Sequence, residues 1–130
     1  MKKNLHITLL IAAMSMFFLT YAIADSKWSP AQGLENNMII YGKVLVNDSM
    51  VQSDNYVIGA FDDQDVCRGK AEIKMHENDT NFYMTVLANQ NGEKLFIKVM
   101  NVQTGDEYKV FDSITFQSDA TIENLVLNAY

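Results

Sequence analysis

The chain has 130 residues, a net charge of −6 and a single cysteine. That length allows one core-bearing domain once an export leader is set aside, and leaves no room for a second. An acidic surface repels phosphate backbones and so excludes nucleic acid as a natural partner. A lone cysteine excludes an internal disulfide, leaving the core to hold the fold.

The first 24 residues, MKKNLHITLLIAAMSMFFLTYAIA, join two lysines to a long apolar run that ends in Ala22-Ile23-Ala24. Small residues at that spacing satisfy a signal peptidase, so the sequence predicts a signal peptide, residues 1–24, cleaved after Ala24. The competing reading is an uncleaved membrane anchor over residues 7–24, near the short limit for a membrane-spanning helix; membrane association is expected only in that case. The lysine-led, arginine-free start has a bacterial character. Without those residues the balance is 8 basic against 16 acidic residues, a net charge of −8 over 106 residues. The expected location is therefore secreted, periplasmic or cell-surface.

Residues 25–37 show no sustained period and are expected to form an extended lead-in, with Trp28 its candidate for burial. A domain over residues 38–130 follows. There, short runs rich in Val, Ile, Phe and Tyr alternate with Asn, Asp, Gly and Ser clusters, the pattern of successive strands. Strands are predicted over 39–46, 56–61, 66–74, 82–88, 94–100, 107–111, 113–117 and 124–128. Turns are predicted at Asn47-Asp48-Ser49, Asp62-Asp63-Gln64, Glu77-Asn78-Asp79, Asn91-Gly92 and Thr104-Gly105-Asp106, with Asn91-Gly92 the strongest local hairpin signal.

This spacing predicts an all-β fold, an antiparallel β-sandwich of seven or eight strands, with an open-ended barrel as the alternative. Alternation assigns Cys67, Gly69, Ala71 and Ile73 to the core, with Arg68, Lys70, Glu72 and Lys74 facing water. Phe82, Met84, Val86 and Ala88, and likewise Leu95, Ile97 and Val99, are further core sets.

The stretches IGAFDDQDVCRGKA and FYMTVLANQNGEKLFIKVMNVQTGDEYKVFDSITFQSD resemble a repeat module of large secreted and surface-attached bacterial proteins. The matching positions are Ile58 to Phe61, Cys67 to Gly69, Tyr83 to Val86, Gly92-Glu93, Thr104-Gly105, Ile114 to Phe116 and Ser118-Asp119, with Trp28 and Pro30 ahead of the first strand. The resemblance implies an immunoglobulin-like sandwich in a structural or adhesive setting. It brings no catalytic residues.

Three sets of residues are candidates for chemistry. Asp62, Asp63 and Asp65 offer hard oxygen ligands for calcium; the simpler reading is a turn whose aspartates hydrogen-bond their own backbone. Cys67 as a nucleophile needs a base. The only histidine beyond the leader, His76, stands nine residues along the same predicted strand, roughly 30 Å away when extended. A buried Cys67 acting as a small hydrophobe is favoured. Arg68 then makes a cross-strand ion pair or captures a ligand. Tyr41, Tyr83, Phe96 and Tyr108 have a parity that exposes some of them, so Tyr41, Tyr83, Tyr108 and Arg68 are the candidate ligand-binding residues.

Together these features predict an exported, non-enzymatic module, without a cofactor unless calcium binds. It would contact a protein or glycan at the cell envelope or outside it, by loops, rings or open strand edges. A small periplasmic enzyme or enzyme inhibitor is the alternative, for which the sequence offers few converging titratable groups.

Overall fold

The structure, a computed structural model, describes residues 28–51, 54–76 and 79–130. The expected signal segment 1–24 lies outside the described residues, as do residues 77 and 78 of one predicted turn and the side chain of His76. Ten strands form: β1 (Asn36–Val46), β2 (Ser49–Met50), β3 (Tyr56–Phe61), β4 (Cys67–Glu72), β5 (Lys74–His76), β6 (Asp79–Ala88), β7 (Lys94–Asn101), β8 (Glu107–Lys109), β9 (Ile114–Thr115) and β10 (Thr121–Ala129). They build two sheets packed face to face, in the orders β10-β1-β6-β5 and β4-β3-β7-β8, with β2 added to β1 and β9 to β7. The fold is a β-sandwich, with no helix among the described residues.

Among the described residues every strand pairing is antiparallel except that of β1 with β10, which is parallel. Periodicity gives no strand direction, so this pairing was invisible in the sequence. Two further expectations need correction. Asn91-Gly92 does form a tight turn, with Gly92 at φ 91, but it is no hairpin. It is a corner that carries the chain from β6 in one sheet to β7 in the other. The predicted strand 66–74 is also two strands. The chain changes sheets at the buried Ile73, whose N–H bonds to Tyr56 O at 3.2 Å, so that β4 pairs with β3 while β5 pairs with β6. No Gly or Pro marks the crossing, because a buried apolar residue suits either sheet.

The main core lies between the sheets and includes Met38, Ile40, Val44, Ile58, Phe82, Met84, Val86, Ala88, Leu95, Ile97, Val99 and Phe116. The β6 and β7 sets expected from alternation are all there. A second, smaller core covers the outer face of the β4-β3-β7-β8 sheet, where Trp28 joins Val57, Phe61, Cys67 and Met100. Trp28 is 2% exposed and meets the Phe61 ring edge-on at 5.1 Å. The Lys98 ammonium lies 4.5 Å from the centroid of the same ring, a favourable cation–π contact.

Cys67 belongs to this outer cluster and not to the main core, because the register slips between Ala60 and Phe61. Ala60 faces Gly69, whereas Phe61 faces Cys67. Arg68 is the extra residue of a β-bulge, and the bulge inverts the parity of everything before it. Gly69 keeps its inward direction. A Cβ there would stand 2.6 Å from Thr85 O, so only glycine lets β4 close down on β6. The opposite edge closes differently: Val110 bridges to Ala129, and Lys109 and Tyr130 exchange two backbone hydrogen bonds of 2.9 and 3.0 Å. These closures limit the exposed sheet edge open to unwanted pairing.

Candidate functional site

The turn between β3 and β4 is built by its first aspartate. Asp62 Oδ1 accepts the N–H groups of Gln64 and Val66, both at 2.9 Å, and its backbone N–H donates to Val66 O at 3.0 Å. Asp65 adopts φ 64 to complete the reversal. Asp62 Oδ2 takes both Nε and Nη2 of Arg68 at 3.1 Å, and Nη2 also reaches Glu93 Oε1 at 3.1 Å. The other oxygen of Glu93 accepts the Asn89 and Gln90 N–H groups at 3.3 Å. One guanidinium thus ties the β3–β4 turn to the corner that joins the two sheets.

Arg68 does make an ion pair, but it does not face open water as alternation predicted. Its side chain is 14% exposed, because a bulge residue does not obey strand parity. Its Nη1 is buried with no partner among the described residues. Burial raises the Asp62 carboxyl, and the Val66 and Gln64 amides and the Arg68 guanidinium more than offset that, leaving it below the ordinary carboxylate range. Asp65 pairs with Lys98, while Asp63 points into solvent. The three aspartates therefore do not converge, and among the described residues no three His, Cys, Asp or Glu side chains stand close enough to hold a metal ion.

Cys67 is buried and its thiol donates to Gly69 O at 3.4 Å. Burial pushes the thiol above its ordinary value, which disfavours the thiolate a nucleophile needs.

The tyrosines divide. Tyr41 on β1 and Tyr83 on β6 are direct cross-strand partners, on the outer face of the β10-β1-β6-β5 sheet, 40% and 61% exposed. Among the described residues neither hydroxyl has a hydrogen-bond partner. They line a shallow groove of about 330 Å³ with Ala71, Glu72, Lys74, Asn81 and Phe82. Tyr108 is not part of it: on β8 in the other sheet, it packs half-buried against the main core. Arg68 is likewise elsewhere, and Phe96 is partly exposed on β7. No protein-family model, curated protein or solved structure matches this chain.

Glu72, Lys74 and Asn81 were missed as site residues. The first two were assigned only to a solvent-facing strand side, and Asn81 carried no signal. Their meeting with the tyrosines depends on the sheet change at Ile73, which places Lys74 opposite Asn81.

Proposed function

We propose that this chain is an exported, non-enzymatic binding module acting at the bacterial cell envelope or outside it, with the outer face of the β10-β1-β6-β5 sheet as its docking surface for a protein or glycan. The observation that carries this reading is the unequal treatment of the two outer faces. One is covered over Val57, Phe61, Cys67 and Met100 by the chain's own lead-in through Trp28, leaving the single ring of Phe96 partly exposed at its margin. The other keeps two adjacent tyrosines open to solvent beside a groove. Large exposed rings next to a concavity are a feature of recognition surfaces.

The leader residues support export, and the resemblance to bacterial surface modules supports an interaction or structural role. Enzyme chemistry has less behind it, since the thiol and the carboxylates of the Tyr56–Ile73 region other than Asp63 and Glu72 are engaged in holding the fold. Cosedimentation with insoluble envelope preparations tests the proposal. The protein is expected to pellet with at least one fraction, and Tyr41→Ser/Tyr83→Ser is expected to stay in solution with an unchanged melting temperature. Equal pelleting of both would remove this face from the account.

A further inference from the structure

We propose that the ligand of the Tyr41–Tyr83 face is an uncharged glycan chain, lying across the two rings and hydrogen-bonded by Asn81, Glu72 and Lys74. This rests on the binding-module reading above and names its substrate class.

Charge is the first reason. The chain as a whole carries −6, yet each cation bordering the tyrosines is matched by a carboxylate. Lys43 meets Asp79 at 2.5 Å, and Lys74 meets Glu72 at 3.6 Å. Among the described residues an acidic polysaccharide or acidic peptide would find no unpaired cation beside the tyrosines, and a basic peptide only the single exposed Glu123 of β10, whereas specificity between charged partners depends on complementary charge. An uncharged ligand has no such requirement.

Hydrogen-bonding capacity is the second. A sugar hydroxyl both donates and accepts, so its site must offer both. The Asn81 amide does, and it has no partner among the described residues; an amide carries two donors and an acceptor oxygen. The Lys74–Glu72 pair is highly exposed, and a paired ammonium and carboxylate keep further donor and acceptor capacity, so both can hydrogen-bond a ligand while remaining paired. The tyrosine hydroxyls add two more groups.

Shape is the third. Directly opposed residues on antiparallel strands hold their Cβ atoms about 5 Å apart, so two exposed tyrosines there form one continuous platform. A sugar ring presents a flat C–H face to such a platform, and an open groove beside it lets a chain continue past both ends.

The test is a titration of the exported protein followed by NMR at Tyr41, Tyr83 and Asn81, using cellohexaose and chitohexaose as neutral probes and hexagalacturonate and a hexa-lysine peptide as charged ones. Shifts at those residues with a neutral hexasaccharide, weakened about tenfold or more by Tyr83→Ser, are expected. Movement there with only a charged probe would overturn the glycan assignment and leave the docking face standing. No movement there with any probe, or sugar-induced shifts confined to Phe96 or Phe111, would overturn both.

Discussion

Replacing Arg68 with alanine removes two charge-assisted hydrogen bonds of 3.1 Å, Nε to Asp62 and Nη2 to Glu93, and a further 3.1 Å ion-pair contact of Nη2 with Asp62. Bonds to charged groups contribute about 1.5–3 kcal/mol each when shielded. Here the loss is smaller than their sum, because Asp62 keeps its Gln64 and Val66 amides, Glu93 keeps the Asn89 and Gln90 amides, and the unpartnered Nη1 disappears as well. A net loss of roughly 2–4 kcal/mol follows. In a domain of about a hundred residues each kcal/mol shifts the melting temperature by ~4–8 °C, so a fall of at least ~8 °C is expected by circular dichroism. A double-mutant cycle with Glu93→Gln should return a coupling of about 1 kcal/mol or more. Acid supplies an independent reading. Because the folded Asp62 sits below its unfolded value of about 3.9, its contribution is complete above that pH and is lost as pH falls through the lower folded value. Wild type should therefore lose stability on acidification below about pH 4 more steeply than Arg68→Ala. A loss under about 0.5 kcal/mol with an unchanged acid profile would refute the tie between turn and corner.

Gly42→Ala should cost about 3 kcal/mol or more, since the new Cβ would stand 2.1 Å from Leu125 O in the parallel partner strand; urea unfolding measures this, and near-wild-type stability would contradict the β1–β10 pairing. The Cys67 thiol is expected to react with a disulfide reagent on the order of a thousandfold more slowly in the folded than in the unfolded protein. Fast labelling of the native state would contradict its place beneath Trp28. Millimolar calcium is expected to leave the melting temperature unchanged, because Asp62 and Asp65 already have other partners; a clear rise would return the turn to consideration as a cation site.

The sequence carried the sheet architecture well where a rule is local. Alternation found the buried faces of β6 and β7 because both strands run regularly between the two sheets. The acidic stretch 62–65 was legible as a turn because an aspartate side chain reaches its own backbone. What escaped was whatever depends on a partner strand. The bulge at Arg68 is one extra residue measured against β3, and it moved Cys67 to the opposite face of its sheet from the one alternation assigned. The change of sheet at Ile73 has no local marker, and it is this change that brings Lys74 to Asn81. The exposure of Tyr41 and Tyr83 was within reach of parity, but their opposition was not, since register is a property of the pair β1–β6.

Hydroxyl-radical footprinting of the protein, with and without an isolated envelope fraction, tests the proposed docking face most directly because it needs no prior choice of ligand. Protection is predicted at Tyr41 and Tyr83, with Phe96 and the 94% exposed Phe111 reacting equally in both conditions. Protection at Phe111 or Phe96, with both tyrosines unchanged, would contradict the account.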